Sequence, residues 1–197
     1  MEAVLSESVE RGGEVDARLR AYAALLARWT QRINLVSRAD EHQIWDRHVQ
    51  DSLRLAPLIP PGTGRAIDLG SGAGLPGLVL AVATGITFDL VEADRRKAAF
   101  LLEAQRVTAA PARVHAVRIE QAGLDPAPLI TARALAPLAT LLHLASPLLT
   151  QDGVCLFPKG VRVGEELEAA RREWRFGLDI AGPKHSPILV VTRPERV

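Results

Sequence analysis

A glycine-rich stretch that begins at Ala66, AIDLGSGAGLPGLVLA, contains the residue pattern in this sequence that is most typical of a ligand site. Gly72, Gly74 and Gly77 have the G-x-G-x-x-G spacing of proteins that bind a dinucleotide through its pyrophosphate. The same stretch also contains an acid followed by alternating glycines, namely Asp68, Gly70, Gly72 and Gly74. In both cases the glycines let the backbone turn sharply and approach a ligand closely. The spacing alone therefore leaves the ligand open.

The charge of Asp68 separates the two alternatives. A carboxylate close to a pyrophosphate is repelled by about 4 kcal/mol per charge pair near a protein surface, whereas a cationic ligand is attracted. S-adenosylmethionine carries an ammonium and a sulfonium but no phosphate. Glu92 lies 20 residues after Gly72 and could accept hydrogen bonds from ribose hydroxyls of either ligand. The loop therefore predicts a site for S-adenosylmethionine, and a nicotinamide-dependent oxidoreductase is the less favoured alternative.

The elements after residue 64 must position this loop, and they alternate between short apolar runs and helical stretches. Predicted strands cover 65–69, 86–91, 112–117, 129–132, 153–157, 175–181 and 187–193. Predicted helices cover 76–83, 95–108, 136–148 and 163–173. Strands joined through helices form parallel sheets, whose ligands bind beyond the carboxyl ends of the strands. The last two strands have no helix between them, so they predict an antiparallel hairpin at one edge.

The first 60 residues predict a helical extension packed on a core of residues 61–197. One apolar stripe recurs at helical spacing and consists of Val15, Leu19, Tyr22, Leu26, Trp29 and Ile33. A second helix is predicted over 41–56, and the stretch PLIPPGTG at 57–64 then breaks the chain.

The composition excludes several classes of protein. Hydrophobic residues make up 48% and charged residues 24% of the 197, a globular balance. No apolar run approaches the roughly 20 residues that span a bilayer, and the acidic N-terminus does not resemble a secretory signal. We therefore expect a cytoplasmic protein without a membrane partner. One cysteine, Cys155, and five scattered histidines argue against a disulfide framework or a metal site.

Seven stretches together resemble the bacterial RsmG (GidB) family. They are RINLVS (32–37), RHVQDSL (47–53), IDLGSGAGLPG (67–77), VEADRRKAAFL (91–101), VRIEQ (117–121), TARALAPL (131–138) and FPKG (157–160). The resemblance implies an α/β, Rossmann-like S-adenosylmethionine-dependent methyltransferase fold, with a mostly parallel seven-stranded sheet, an antiparallel edge strand and the N-terminal helical extension.

The same resemblance implies a cytoplasmic enzyme that transfers a methyl group from S-adenosylmethionine to N7 of one guanine in 16S ribosomal RNA, and we expect it to be a monomer. Its partner would be that RNA or the small ribosomal subunit, with no metal. The alternative is an S-adenosylmethionine-dependent methyltransferase that acts on another RNA, a protein or a small molecule. Guanine N7 carries a lone pair and no proton, so we expect no catalytic base.

The resemblance also assigns contacts with the donor to particular residues, both within the glycine loop and outside it. It assigns them to Gly70, Leu75, Ile119, Glu120 and Arg133. Ile119 and Glu120 follow the third strand, where they could cover the adenine face and read its edge. Arg133 ends the fourth strand and could pair with the methionine carboxylate of the donor, or else with Asp68 or Glu92.

Basic residues near the carboxyl ends of the strands are candidates for binding RNA phosphates. They are Arg47, His48, Arg95, Arg96, Lys97, Lys159 and Arg162. His48, Asp51 and Ser52 lie near one helical face, where they either brace the helices or lie beside the target base.

Overall fold

The computed structural model describes residues 2–37 and 43–197, with side chains described from residue 12 onward. Its N-terminal part is helical. Helix α1 spans Glu2–Thr30, a π-helical turn spans Trp45–Gln50, and a short helix, α2, spans Asp51–Leu53. A 3-10 turn at Ala56–Leu58 leads into the rest of the chain.

Strands and helices alternate after residue 64. The strands are β1 (Arg65–Leu69), β2 (Thr87–Val91), β3 (Ala112–His115), β4 (Ala127–Thr131), β5 (Leu149–Pro158), β6 (Trp174–Ala181) and β7 (Ile188–Arg196). The helices are α3 (Gly77–Thr84), α4 (Arg95–Thr108), α5 (Leu138–Ala145) and α6 (Val163–Arg171).

The strands form one sheet in the order β3-β2-β1-β4-β5-β7-β6. The pairs from β3 to β5 are parallel, and β7 is antiparallel to both β5 and β6. The predicted hairpin is confirmed, with β6 as the edge strand, antiparallel to its neighbour. Strand order reverses between β1 and β4, and a sheet of this kind offers a ligand crevice at that point.

Apolar side chains cover both faces of the sheet. One cluster packs α1, α3 and α4 together and contains the fully buried Tyr22, Leu78 and Phe100. The other cluster packs α5 and α6 and contains Leu142 and Trp174. Helix α1 is therefore part of the main hydrophobic core, because its predicted stripe buries Leu19, Tyr22 and Leu26 against the sheet helices.

Some predicted bounds were wrong. The helix predicted over 136–148 begins only after Pro137 and gives way at Ser146–Leu148 to a 3-10 turn with a proline in it, because proline has no N–H to donate. Ile33, predicted on the stripe of the first helix, lies beyond its end at Thr30. The helix predicted over 41–56 starts outside the described residues, and its regular part ends at residue 53.

Candidate active site

Asp68 lies near the carboxyl end of β1 and its side chain is fully buried. Its Oδ1 accepts a hydrogen bond from Thr131 Oγ1 on β4 at 2.6 Å. Its Oδ2 makes no hydrogen bond of ordinary geometry within the described residues, although the Gly77 N–H is close enough to lower the pKa. Burial outweighs these favourable contacts and raises the pKa of Asp68 to about 6. Since neither oxygen reaches the surface, Asp68 would act on a cationic ligand through its electric field rather than by direct contact.

Glu92, which follows β2, fixes the glycine loop. Its Oε2 accepts a hydrogen bond from the backbone N–H of Gly72 at 2.8 Å, and its Oε1 accepts one from the N–H of Asp94 at 2.7 Å. A carboxylate oxygen has more than one lone pair, so Glu92 keeps capacity for two ribose hydroxyls. The sequence predicted only that Glu92 contacts the ribose. The structure shows that Glu92 also supports the glycine loop.

Three glycines of the loop are required by close packing, and one of them is Gly74, where a Cβ would lie 2.8 Å from that of Leu78. Gly70 has a φ of +63°, and a Cβ there would lie 2.5 Å from Cδ1 of Leu135, in the loop that follows β4. A Cβ on Gly77 would lie 2.5 Å from the Cβ of Asp68. Gly77 therefore allows α3 to pack directly on β1. Gly72 and Gly74 also have positive φ, at +54° and +83°.

The remaining donor candidates lie around this loop. Leu75 is 8% exposed and belongs to the core cluster that contains α1, so most of its side chain packs inside the protein. Ile119 and Glu120 begin a 3-10 turn after β3, with Ile119 half-buried and Glu120 exposed. The fully buried Asp68, the nearly buried Glu92 and the glycine backbone suit a ligand that joins a cationic amino acid to a nucleoside. The described residues thus fit S-adenosylmethionine.

Arg133 pairs neither with Asp68 nor with Glu92 among its described contacts, contrary to the alternative raised from the sequence. Its Nη1 lies 3.4 Å from Oδ2 of Asp51. Its Nη2 donates to the backbone carbonyl of Arg47 at 3.3 Å and lies 3.0 Å from Nδ1 of His48. A guanidinium can only donate, so Nδ1 of His48 is the acceptor. Arg133 therefore faces the N-terminal helical segment.

A wide groove, which we call the acceptor groove, opens beside Arg133 at the carboxyl ends of β4 and β5. Its volume is about 1260 Å³. The N-terminal helical segment, the loop after β4, the start of α6 and the β6–β7 turn form its walls. Its lining includes His185 and the charged residues Asp46, Arg47, Asp51, Arg54, Arg133, Lys159, Arg162, Glu165 and Glu166. Leu135 both lines this groove and contacts the donor loop, so the two sites adjoin.

The predicted RNA-binding residues separate into groups. Arg47 and Arg162 are exposed in the acceptor groove. Lys159 also lines it, but its side chain is only 8% exposed and its Nζ lies 2.7 Å from Glu166 Oε2. Its charge is therefore paired with that of Glu166 inside the protein. His48 is buried, which places it behind the wall of the groove.

Arg95, Arg96 and Lys97 lie at the start of α4, on the β2 side of the donor loop. Asp94 caps this helix by accepting hydrogen bonds from the N–H groups of Arg96 and Lys97. These bonds, that of Arg96 first, lower the pKa of Asp94. Arg95 and Arg96 are exposed and Lys97 is half-buried. The sequence placed all the basic candidates at one edge of the sheet. In the structure, the group at the start of α4 is separated from the group in the acceptor groove by the strands β1 and β4.

Sequence reasoning assigned no site role to several residues that hold the site together. Tyr22 donates its buried hydroxyl to the carbonyl of Ala73 in the glycine loop at 2.6 Å. Thr131 bonds Asp68, and Arg54 bonds the β6–β7 turn. Tyr22 is the only tyrosine and lies on the apolar stripe, and Thr131 opens a stretch already noted for its resemblance. Those signals could have identified the first two residues, whereas nothing local identified Arg54.

Comparisons with solved structures agree with this fold. The ribosomal protein L11 methylase of Lactobacillus delbrueckii subsp. bulgaricus matches with a TM-score of 0.62 at 14% identity, covering 75% of this chain and 78% of that one. TYW2 of M. jannaschii in complex with AdoMet matches with a TM-score of 0.58 at 15% identity, covering 78% of each chain. The fold and the site together define a Rossmann-like, S-adenosylmethionine-dependent methyltransferase.

Comparisons with curated proteins narrow the class to a family. The ribosomal RNA small subunit methyltransferase G of Granulibacter bethesdensis is 50% identical over 184 residues, which is 93% of this chain and 86% of that protein. The protein of the same name from Acidiphilium cryptum is 57% identical over 161 residues, 80% of this chain and 74% of that protein. The family profile GidB, described as rRNA small subunit methyltransferase G, matches residues 16–181. This chain belongs to the GidB family.

The described residues contain neither a membrane-spanning helix nor a cluster of metal ligands. Among the described residues, no helix has both the length and the apolar character needed to cross a membrane. In the same part of the chain, no three His, Cys, Asp or Glu side chains are grouped so that they could hold a metal ion.

Proposed function

We propose that this protein transfers the methyl group of S-adenosylmethionine to N7 of a guanine in 16S ribosomal RNA, in the cytoplasm. Membership of the GidB family supports the reaction and the class of substrate. One observation supports the donor site above all. The buried Asp68 and Glu92 both lie beside the glycine loop, at the point where strand order reverses. A site that contains these two acids favours a cationic nucleoside over a ligand with a pyrophosphate.

Each donor-site residue has a distinct role in this proposal. Bound S-adenosylmethionine supplies a methyl group activated by its sulfonium. Glu92 binds the ribose and orders the loop, and the field of Asp68 favours the positive end of the donor. Ile119 and Leu75 supply apolar surface, and Glu120 and the backbone beside it lie where an adenine edge can be read. Gly70 allows Leu135 to close over the loop from the side of the acceptor groove.

The acceptor groove would receive the target nucleotide. Its volume of about 1260 Å³ exceeds what one base needs, so flanking nucleotides can enter with it. Arg47 and Arg162 within the groove, and Arg95 and Arg96 at α4, can neutralise phosphates. In the transfer, the N7 lone pair would form a bond to the methyl carbon as the carbon–sulfur bond breaks, leaving a neutral thioether and a positively charged 7-methylguanine. No proton is lost, so the residues need only align the reacting atoms. Alignment of this kind can supply about 7–11 kcal/mol of the barrier.

The division of the chain is also a proposal. We propose that residues 1–60 form a helical extension and residues 61–197 form the methyltransferase core. The packing of Tyr22 and Leu26 into the same cluster as Leu78 supports an extension that is docked on the core rather than tethered to it. We also propose that the enzyme is a monomer, which light scattering of the purified protein tests.

The deciding experiment supplies labelled S-adenosylmethionine with 30S subunits, or with naked 16S RNA, from cells that lack this methylation. Mass spectrometry of the digested RNA should show 7-methylguanosine at one position. Subunits from methylating cells are the matched control and should accept no label. Donor binding without methylation of either substrate would favour the alternative, a methyltransferase for another RNA, a protein or a small molecule.

A further inference from the structure

The carboxylate of Asp51 joins two arginines that line the acceptor groove. Its Oδ1 lies 2.5 Å from Nη1 of Arg54, and its Oδ2 lies 3.4 Å from Nη1 of Arg133. The three side chains are between 21% and 31% exposed. Because they are largely shielded from solvent, these pairs are screened less than surface ion pairs are. One carboxylate thus pairs with two guanidinium groups, through a hydrogen bond with Arg54 and through a longer ion pair, without a hydrogen bond, with Arg133.

Each arginine extends the contact to a different wall of the groove. Arg54 donates to Oγ of Ser186 at 3.0 Å and to its carbonyl at 2.7 Å, in the turn between β6 and β7. Arg133 donates to the π-helical turn, through the carbonyl of Arg47. The N-terminal helical segment, the end of β4 and the β6–β7 turn are therefore connected through Asp51.

The residues after Arg133 show why its position matters for the donor loop. Ala134 has a φ of +52°, a conformation that an L side chain keeps only where its surroundings hold it. Leu135 then packs against the Cα of Gly70. The loop between β4 and α5 is thus anchored by Arg133 before the unusual backbone and by the Leu135 contact after it. This loop forms the boundary between donor site and acceptor groove.

We propose that Asp51 is a positioning residue for methyl transfer. It holds Arg133, and with it the loop between β4 and α5, in the position that aligns the acceptor nucleotide with the donor. This inference rests on the function proposed above. A displacement of about 1 Å can cost about 100-fold in rate, so Asp51 is expected to affect the transfer step more than either binding step.

The test uses single-turnover methylation of undermethylated 16S RNA or 30S subunits. Asp51→Asn keeps the size of the side chain and removes its charge. We expect it to lower the rate at saturating donor and RNA at least tenfold, with the Kd for S-adenosylmethionine and the KM for RNA changed less than threefold. These are order-of-magnitude expectations for lost alignment. Arg133→Ala removes the other member of the pair and should also lower the rate. The double variant should lose clearly less than the two single losses combined, because both changes remove the Asp51–Arg133 pair.

The chain offers a matched control for the charge change. Asp16→Asn also breaks an aspartate–arginine pair in the N-terminal helices, with Arg20 at 2.6 Å, but that pair is well exposed. Exposed pairs of this kind contribute little to stability. Its methylation rate should match that of the wild type.

Several outcomes would overturn the proposal. An unchanged rate in Asp51→Asn, or a loss that only follows weaker donor binding, weaker RNA binding or a lower Tm, would make Asp51 a structural brace. Additive losses in the double variant would show that Asp51 does not act through Arg133. Asp51→Glu keeps the charge and must recover part of the rate lost in Asp51→Asn. A wild-type protein that binds S-adenosylmethionine but methylates no 16S RNA would overturn the proposed function, and this inference with it.

Discussion

At the scale of single residues, the two acids of the donor site differ in what surrounds them. Glu92 stands at the edge of the loop with both oxygens bonded to backbone N–H groups. Asp68 lies beneath the loop, where burial raises its pKa to about 6. The first acid can bind a ligand directly, whereas the second contributes charge. Asp68 is expected to titrate in the range where donor binding is measured.

Donor affinity should therefore depend on pH through Asp68. Its pKa in the folded protein is about 6, above its ordinary value. At lower pH the group takes up a proton and its attraction for the cationic donor is lost. We expect the affinity for S-adenosylmethionine to fall several-fold, up to about tenfold, from pH 7 to pH 5. Calorimetry in two buffers of different ionisation enthalpy should show proton release on binding near pH 6.

Asp68→Asn is the control for this prediction. The variant should bind the donor more weakly at pH 7 and should lose most of the pH dependence. The folded-state pKa lies above the unfolded one, so the folded wild type holds the extra proton between about pH 4 and 6, and its stability falls as pH rises through that window. The difference in unfolding free energy between the wild type and Asp68→Asn should change in that direction. A variant that keeps the full pH dependence of binding would contradict the assignment.

The chemical step itself should show no titrating base. With donor and RNA saturating, single-turnover kcat should change little between about pH 6.5 and 9, the range in which a catalytic histidine would titrate. His48→Ala should show the same flat profile, because the structure uses His48 as an acceptor for Arg133 within a buried contact. A sigmoidal profile that disappears in His48→Ala would reveal a proton transfer.

At the scale of elements, the site depends on how closely helix α3 approaches strand β1. The third glycine of the G-x-G-x-x-G spacing, Gly77, begins α3 and packs against Asp68. The spacing that resembles a dinucleotide motif thus reflects a helix–strand contact rather than the ligand. The start of α4 presents two exposed arginines beside the aspartate that caps the helix.

Gly77→Ala should disturb both stability and donor binding. The added Cβ would lie 2.5 Å from the Cβ of Asp68, so α3 or β1 must shift, at a cost of about 1–3 kcal/mol. Thermal unfolding and calorimetric donor binding measure the two effects. Gly164→Ala in α6 is the matched control, because nothing lies within 4 Å of its added Cβ. That variant should be slightly stabilised, by about 0.5–1 kcal/mol, and a similar gain in Gly77→Ala would contradict the packing argument.

The exposed bases should affect RNA and not the donor. Replacing Arg95, Arg96 and Arg162 by serine should raise the KM for RNA and reduce the slope of its salt dependence, because fewer counterions are released. Donor affinity should stay within a factor of about three. The matched control replaces Arg171, Arg172 and Arg175, which are exposed at the end of α6 and on β6. Equal losses in the two triple variants would mean that only net charge matters.

At the scale of the whole molecule, the N-terminal helices contribute to both sites. Helix α1 reaches the donor loop through Tyr22, and the helical segment that follows forms a wall of the acceptor groove. Arg18 also donates to the carbonyls of Thr108 and Ala109 at the end of α4. Helix α1 is thus connected to the rest of the chain both at the glycine loop and at the end of α4.

Tyr22→Phe should measure the connection between the extension and the donor loop. The variant keeps the buried ring but leaves the carbonyl of Ala73 without the hydroxyl that donates to it at 2.6 Å. We expect a loss of about 1–3 kcal/mol in unfolding free energy, as for a buried acceptor without its partner, and a weaker affinity for S-adenosylmethionine. Chemical unfolding and calorimetry test these effects. Loss of stability with unchanged donor binding would show that Tyr22 braces the fold without ordering the loop.

The sequence alone determined the α/β class and the positions of the seven strands, because these depend on local periodicity, and it predicted the donor loop from a compact run of glycines after an acid. It also determined the family, since Arg133, Asp51 and the glycine loop lie in recognisable stretches. Only the tertiary structure decided which charges meet. Lys159 is paired with Glu166 rather than exposed on the rim, and Arg133 lies within ion-pair distance of Asp51 rather than of Asp68. The physical reason is that ion pairing and desolvation depend on distances between side chains far apart in the chain, which spacing along the sequence does not specify.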